Sequence, residues 1–308
     1  MRRVVFALGL ALAGCNDPAT ATPDAAPTIE PDAPAMQLDA PSGGDGLVDY
    51  EKRIISQLTG AAEISPGLTL VHRASVAERN AVRTYLIAEF AALGITAEAV
   101  AYTSGATSGA NIIATLPGSE AGPIIVVGGH FDGVPAGPAA ADNATGTAMV
   151  LAIARHLVQV PDRKHTIVFA VFDQEELGLL GSRAYVAALK TAGTQLRGAH
   201  IYDMVSWDSD HDRAVELWSP TPALEAMYRA KGMAAAMPIQ PVAFESSDHQ
   251  AFLEGGFPAV GICEEYVGGD HTPHYHKASD TAANVQFDYL EAVTRLAFSV
   301  LEADVTAP

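Results

Sequence analysis

Residues 124–132 read IIVVGGHFD, and residues 166–178 read TIVFAVFDQEELG. Each stretch begins with an apolar run rich in β-branched residues, and each run leads directly into polar or charged side chains. Short apolar runs of this kind are typical of strands buried on both faces of a sheet. In open α/β sheets, sites form beyond the carboxyl ends of the strands. We therefore expect a functional site where these two strands end.

Helical and strand patterns alternate around these two stretches. We predict helices at residues 76–93, 145–157, 180–189, 222–235, 249–254 and 285–301. We predict strands at residues 112–116, 124–127, 166–172, 199–205, 215–218 and 258–263, and near Val242. Such alternation predicts an α/β fold of three layers, α/β/α, with a mostly parallel central sheet.

The beginning of the chain resembles an export signal. Arg2 and Arg3 precede an apolar stretch that is too short to span a bilayer. That stretch ends in Leu12-Ala13-Gly14-Cys15, which resembles a bacterial lipobox. The resemblance implies a signal peptide over residues 1–14, cleavage before Cys15 and a lipid anchor on its thiol. The alternative is an ordinary cleaved signal peptide.

Residues 15–45 differ in composition from the rest of the chain. They are rich in Asp, Pro and Ala and contain no Lys or Arg. A segment of this kind buries too little apolar surface to offset its ordering entropy, so we predict a disordered tether. Residues 46–308 then form one globular domain held at the bacterial cell envelope. Asn16 is not the aspartate associated with inner-membrane retention, which favours the outer membrane at its periplasmic face, or the cell surface.

Composition narrows the possible functions. The chain has 308 residues and a net charge of −18, whereas binding nucleic acid requires a surface rich in Lys and Arg. Its two cysteines, Cys15 and Cys263, are too few for a cysteine-rich zinc site. Any bound metal must therefore be held by His, Asp and Glu side chains. Nothing in the sequence indicates an oligomeric state.

The polar residues after the first strand suit a metal site. His130 and Asp132 are two residues apart, so both side chains point the same way in an extended chain. His130 can bind a metal through one ring nitrogen while Asp132 accepts a hydrogen bond from the other. The alternative for this pair is a solvent-facing contact. Asp142 precedes a predicted helix and is either its N-cap or a further ligand.

The second strand ends near two adjacent glutamates, Glu175 and Glu176. Burying two carboxylates at the end of a strand lowers the stability of the fold unless they are paired or bind metal. One of them can bind a metal while the other accepts a proton from water. A solvated acidic turn is the alternative reading.

Two later segments add candidate ligands. Asp203 lies at the end of the apolar run AHIYDMV, and a histidine-rich segment contains His271, His274 and His276. Only one of these three histidines need bind metal. Imidazole and carboxylate groups together suit a pair of Zn²⁺ ions.

Six motifs carry these residues, and together they resemble the M28 zinc peptidases, a family that includes bacterial leucyl aminopeptidases. The motifs are GGHFD, ADNATGTA, FDQEELGLLGS, YDM, SSDHQAFLEGGFPA and YHKASDT. Their order and spacing follow the family pattern over roughly residues 75–300. The resemblance implies a zinc-exopeptidase fold of the phosphorylase/hydrolase type and cleavage of the N-terminal bond of peptide substrates.

The resemblance also implies a metal ligand set. His130 and Asp203 would hold one zinc ion, Glu176 and His276 would hold the other, and Asp142 would bridge the two. His276 is chosen over the other histidines of its segment because the following residues read ASDT, close to the family pattern.

Catalytic and supporting roles follow from the same resemblance. Glu175 would be the general base, and Asp132 would orient the histidine of the first motif. Asp248 and His249, in the motif SSDH, would support the pocket rather than bind metal.

The sequence departs from the family at several positions. Phe131 and Gly133 stand where the family often has Tyr and Ser. Some members have a tyrosine shortly before the SDH motif that stabilises the oxyanion, whereas the nearest aromatic residue here is Phe244. Tyr266 and Tyr275 are the substitutes that this sequence offers.

Other functions remain open from the sequence alone. A carboxypeptidase, or a glutaminyl cyclase with one zinc ion, would share the fold. A binding lipoprotein without catalysis and a zinc-scavenging lipoprotein are further alternatives. The complete ligand set favours two metals over the single zinc ion of the cyclase, and the same set together with Glu175 disfavours a binding protein. Ligands at buried strand ends disfavour a zinc scavenger, and the carboxypeptidase stays open.

Overall fold

The computed structural model describes residues 46–308. The predicted signal peptide, the predicted lipid anchor on Cys15 and the predicted tether lie outside the described residues. Within residues 46–308, no helix has both the length and the apolar character that a bilayer-spanning segment requires.

In this described part of the chain, one eight-stranded sheet forms the middle layer, with the strand order β1-β2-β4-β3-β5-β8-β6-β7. The strands are β1 Ala97–Ser104, β2 Thr107–Leu116, β3 Ile124–His130, β4 Ile167–Phe172, β5 Leu196–Tyr202, β6 Val215–Trp218, β7 Ile239–Val242 and β8 Ala259–Cys263. The pairs β4–β3, β3–β5, β5–β8 and β6–β7 are parallel. The pairs β1–β2, β2–β4 and β6–β8 are antiparallel. The predicted mostly parallel sheet is confirmed, with antiparallel pairs towards its two sides.

Between residues 46 and 308, seven α-helices pack on the two faces of the sheet. They are α1 Leu47–Leu58, α2 Val76–Ala92, α3 Thr145–Leu157, α4 Leu180–Ala192, α5 Pro222–Ala235, α6 His249–Glu254 and α7 Phe287–Thr306. Apolar side chains of α1, α2, α3, α5 and α7 form the larger core on one face. Helices α4 and α6 bury theirs in a second core on the other face. The three-layer α/β/α arrangement is therefore confirmed.

Two elements at the beginning of the domain were not predicted. Helix α1 buries Leu47, Ile54, Ile55 and Leu58 against the larger core, although polar residues separate them in the sequence. Strand β1 is mostly exposed and reads AEAVAYTS, so it lacks the alternation of apolar and polar residues that marks a strand. Its pairing with β2 along all eight residues accounts for its conformation.

The turn before α3 packs closely against the end of β5. The amide Nδ2 of Asn143 donates to Tyr202 O over 2.8 Å, and its Oδ1 accepts from the backbone N–H of Gly146 over 2.8 Å. A Cβ at Gly146 would lie 2.3 Å from Tyr202 O, so only glycine permits this approach. The contact brings Asp142 next to the residue that follows β5.

Candidate metal centre

The parallel strands bring the seven predicted site residues to one edge of the sheet. His130 is the last residue of β3, Asp203 directly follows β5, and Glu175 and Glu176 lie three and four residues after β4. The remaining three residues lie in connecting segments: Asp132 after β3, Asp142 before α3 and His276 after β8. Because β3, β4 and β5 run in the same direction, their carboxyl ends meet at this edge.

Three buried side chains form a first candidate ligand group. The Nε2 atom of His130 lies 3.2 Å from Asp142 Oδ1 and 3.5 Å from Asp203 Oδ1. One donor atom from each residue converges on a common space within reach of a single ion. The hydroxyl of Ser247 donates to Asp203 Oδ2 over 2.6 Å, which leaves Oδ1 to face the histidine.

A second candidate ligand group lies on the other side of Asp142. The Nε2 atom of His276 lies 3.0 Å from Asp142 Oδ2 and 3.1 Å from Glu176 Oε2. Asp142 therefore presents one carboxylate oxygen to each group. A residue in this position can bridge two ions.

The donor atoms of both groups suit zinc. Among the described residues, His130 Nε2, Asp203 Oδ1 and Glu176 Oε1 are buried and have no hydrogen-bond partner. Buried polar atoms without hydrogen-bond partners lower the stability of the folded protein, and a bound cation would offset this loss. Imidazole nitrogens and carboxylate oxygens are common zinc ligands. The residues present therefore fit zinc.

The charged side chains of the two ligand groups shift one another's pKa values. Burial opposes ionisation of Asp142, but the close approach of His130 and His276 outweighs it and lowers the pKa of this carboxyl group. The hydrogen bond to Asp142, together with nearby negative charge, raises the pKa of His276. Burial, reinforced by the charge of Asp142, raises the pKa of Glu176 to about 8. Such crowding of carboxylates is relieved when cations bind between them.

Glu175 lies beside the first group without belonging to either. Its Oε2 atom is 3.9 Å from His130 Nε2. Burial raises its pKa well above the usual range for glutamate, and the charges of Asp248 and Asp203 act in the same direction against the opposing effect of His130. A carboxyl group that readily holds a proton beside a metal site suits a general base.

Asp132 supports both the histidine and the glutamate turn. Its Oδ1 atom lies 3.4 Å from His130 Nδ1, and the backbone oxygen of Asp132 is 3.3 Å from the same nitrogen. Its carboxylate also accepts from the backbone N–H groups of Glu175, over 3.0 Å, and Glu176, over 3.3 Å. The sequence indicated the contact with histidine but not the contacts with the turn.

Several alternatives from the sequence are wrong. Helix α3 begins at Thr145 with Ala144 at its N-cap, so Asp142 is not the N-cap of that helix. His130 and Asp132 are buried and do not form a solvent-facing pair. His271 packs its ring 4.8 Å from that of Tyr266 and does not belong to either ligand group.

Sequence reasoning did not find two residues that support the site. Arg73 is fully buried and donates to Phe131 O over 2.6 Å and to Ala139 O over 2.7 Å, which fixes the segment before Asp142. No sequence motif indicated this role, because its partners are main-chain oxygens. Asp280 accepts from the N–H groups of Ala141, over 2.8 Å, and Asp142, over 3.3 Å. Its position in the motif YHKASDT was noted, but only as a marker for the preceding histidine.

A cavity of about 260 Å³ opens beside the two ligand groups. It is lined by Asp142, Glu175, Asp203, Met204, Trp218, Phe244, Ser246, Tyr266 and Tyr275. Tyr266 and Tyr275, the two tyrosines that the sequence offered, both reach the cavity, and the ring of Tyr275 stacks on His276 at 3.9 Å. Trp218, from strand β6, was not anticipated. The cavity can receive a side chain next to the carboxylates.

Comparison with known proteins identifies similar sequences and structures. The sequence pattern of peptidase family M28 matches residues 111–301. Leupeptin-inactivating enzyme 1 of Streptomyces exfoliatus is 29% identical over 245 residues, which are 78% of this chain and 54% of that enzyme. This chain spans about half the length of the sequence relatives that it matches.

Solved structures share the fold. A zinc aminopeptidase of Bacillus subtilis is 26% identical, with a TM-score of 0.58 over 65% of this chain and 51% of that one. A glutaminyl cyclase of Porphyromonas gingivalis is 18% identical, with a TM-score of 0.67 over 84% of this chain and 98% of that one. At this low identity, the likeness to the cyclase shows the fold alone.

Proposed function

Because the chain belongs to peptidase family M28, we propose that it is a two-zinc aminopeptidase that removes the N-terminal residue of peptides. The observation that carries this proposal is the position of Asp142. Its two oxygens face two separate groups of histidine and carboxylate ligands, and Glu175 lies beside them without joining either.

The proposed ligand set divides between two ions. His130 and Asp203 would hold one zinc ion, and Glu176 and His276 would hold the other. Asp142 would contribute to both sites. When bound, such a metal pair polarises a carbonyl group and makes water more acidic.

Glu175 is the proposed general base. Its carboxylate takes a proton from the attacking water and passes it to the amine that leaves. The side chain lines the cavity, and its backbone N–H is held by Asp132 over 3.0 Å. The raised pKa of Glu175, caused first by burial, suits a group that must hold the proton between the two steps.

The charge of the cavity favours an aminopeptidase over a carboxypeptidase. A carboxypeptidase needs a cation to bind the terminal carboxylate of its substrate, and arginine commonly has this role. The described residues that line the cavity include three carboxylates but no Lys or Arg. The lining therefore supplies no side-chain cation for a terminal carboxylate.

Two ligand groups also favour a peptidase over a glutaminyl cyclase with one zinc ion. His130 and Asp203 lie close enough together to share one ion. If the only ion were held by Glu176 and His276, this first pair would have no ion to bind. The zinc content of the purified protein separates these two functions.

An assay with matched substrates tests the proposal. We expect the zinc-loaded full chain to cleave aminoacyl-p-nitroanilides but not their N-acetylated forms. A chelator should abolish cleavage, and zinc should restore it. Failure to cleave any free-amine substrate, in protein that carries two zinc ions, would refute the aminopeptidase.

We also propose that the protein is an exported lipoprotein of the cell envelope. This proposal depends on the lipobox-like sequence that ends at Cys15. We expect the wild-type protein to fractionate with membranes and the Cys15→Ala variant to lose this association. Equal membrane association of both proteins would contradict a lipid anchor on that thiol.

A further inference from the structure

Glu264 is a buried carboxylate that the proposed reaction does not use. It directly follows β8 and has an exposed fraction of 0%. Its Oε2 atom accepts from the backbone N–H of Ser206 over 2.8 Å and from the hydroxyl of that residue over 3.0 Å. Its Oε1 atom accepts from the backbone N–H of Thr272 over 2.7 Å. One side chain thus joins two segments that are far apart in the sequence.

The first of these segments carries Asp203. The backbone N–H of Asp203 donates to Ile262 O over 3.0 Å, and the backbone N–H of Glu264 donates to Met204 O over 2.9 Å. The segment therefore continues along the end of β8, and the bonds of Glu264 to Ser206 hold its far end. Asp203 has additional support from strand β5 and from Ser247.

The second segment carries His276 and is attached near both of its ends. Glu264 holds Thr272, four residues before the histidine, and Asp280 binds the main chain beside Asp142, four residues after it. Between these attachments the chain forms turns rather than a helix or strand. His276 itself has a φ of 56°, in the left-handed region that few residues other than glycine adopt. The two attachments therefore help to set its position.

We propose that Glu264 is a positioning residue that fixes the segment carrying Asp203 relative to the segment carrying His276. It acts through Ser206 and Thr272 and touches neither substrate nor metal. Its main effect is on the metal site formed by Asp142, Glu176 and His276, because His276 lacks the support that β5 gives to Asp203. The proposal rests on the proposed function only in assuming that these residues bind metal.

The hydrogen bonds use both oxygens of this carboxyl group. Each oxygen of Glu264 accepts from a backbone N–H of a different segment. Glutamine has the same size but only one acceptor oxygen, so its NH₂ group must face one of the two N–H donors. Glu264→Gln therefore breaks one attachment while the volume of the side chain is preserved. Loss of a partner that bonds directly to a ligand typically lowers metal affinity by about 10- to 100-fold, and we expect the lower end of this range for Glu264, which acts through the main chain.

Glu216 provides a matched control in the adjacent strand. It is paired with Cys263 across β6 and β8 and also has an exposed fraction of 0%. Its carboxylate accepts from Trp218 Nε1 over 2.9 Å and from the backbone N–H groups of Val267, over 3.0 Å, and Gly268, over 2.6 Å. These bonds hold Trp218 and the first part of the loop after β8, and they leave the attachment of that loop at Thr272 in place. Glu216→Gln thus loses a similar buried contact without releasing His276.

The experiment is a calorimetric zinc titration of the full chain after treatment with a chelator. We expect two zinc ions to bind to the wild type, and the site with His276 to weaken by about 10-fold in Glu264→Gln. Glu216→Gln should keep both affinities within a few fold of the wild type. Cobalt absorption should report the same loss, because the site with His276 would change its geometry. Wild-type affinities at both sites in Glu264→Gln, or equal weakening in both variants, would overturn the proposal.

A second variant covers the case in which Glu264→Gln does not fold, as judged by circular dichroism. Ser206→Ala removes only the hydroxyl bond and should weaken the same site several-fold; unchanged affinity would overturn the proposal. The proposed aminopeptidase function can be refuted without refuting the role of Glu264. Wild-type protein that binds two zinc ions but cleaves no peptide refutes the aminopeptidase, and the comparison of zinc affinities still tests Glu264. Wild-type protein that binds no zinc refutes both.

Discussion

The Oδ1 atom of Asp132 lies 3.0 Å from the backbone nitrogen of Glu175, which donates a hydrogen bond to it. The same carboxylate approaches the ring of His130 and the backbone N–H of Glu176. One side chain thus holds the end of β3 to the turn that follows β4. A proposed metal ligand and the proposed base are positioned by a single group.

Asp132→Asn should therefore lower both zinc affinity and turnover. The amide keeps the size of the side chain but directs an NH₂ group towards an N–H donor or towards the histidine. We expect about a 10- to 100-fold loss in affinity at the site with His130 and a comparable loss in kcat. Zinc titration and steady-state kinetics measure the two effects. Unchanged values of both would show that Asp132 does not position these groups.

Glu175→Gln should remove catalysis and retain metal. Glutamine cannot accept the proton from water, and we expect kcat to fall by about 10²- to 10⁴-fold. Zinc stoichiometry should remain that of the wild type, because Glu175 is not a proposed ligand. Near-normal turnover in this variant would assign the base to another residue.

Variants of two ligands should differ in the number of zinc ions that they lose. Asp142 faces both ligand groups, so Asp142→Ala should weaken both sites. Asp203 faces only the group with His130, so Asp203→Ala should weaken one site and leave the other nearly unchanged. Calorimetric titration counts the sites in each variant. The same loss in both variants would contradict a bridging Asp142.

The metal-free protein should become less stable as the pH rises from about 5 to about 8. Burial raises the pKa of Glu264 to about 8, so the folded protein holds a proton there that the unfolded chain releases near the ordinary glutamate value. Because the folded state binds more protons in this range, its free energy of unfolding falls as the pH rises. Raised pKa values of Glu176 and His276 act in the same direction.

Thermal melting of chelator-treated protein measures this effect. The Tm should fall across the range, and Glu264→Gln, which cannot titrate at this position, should show a smaller fall. Zinc should reduce the dependence further, because bound cations favour the charged form of the carboxylates. A Tm that rises with pH in the metal-free wild type would contradict the prediction.

The sequence predicted those parts of the protein that leave a local pattern. The apolar runs of β3 and β4 marked the central strands, and the polar residues directly after them marked the site. Strand β1 left no such pattern because most of its side chains are exposed and its conformation depends on pairing with β2. Strand β1 forms because it pairs with β2, and the local sequence of β1 does not show this pairing.

The supporting residues of the site were missed for a related reason. Arg73 and Glu264 bind main-chain atoms of segments that are distant in the sequence. Every residue type has the main-chain oxygen that Arg73 contacts, and every type except proline has the main-chain N–H that Glu264 contacts. No motif therefore records the partners, whereas the proposed metal ligands are recognisable because the chemistry restricts their residue types.

The shared carboxylate of Asp142 also has a consequence for how the protein would acquire metal. An ion at one site fixes the orientation of this carboxylate and lowers the entropic cost of using its second oxygen at the other site. It also brings positive charge close to the second ion, which opposes binding. The two zinc affinities should therefore be linked rather than independent, and under scarce zinc the balance of these effects sets how many molecules hold a single ion.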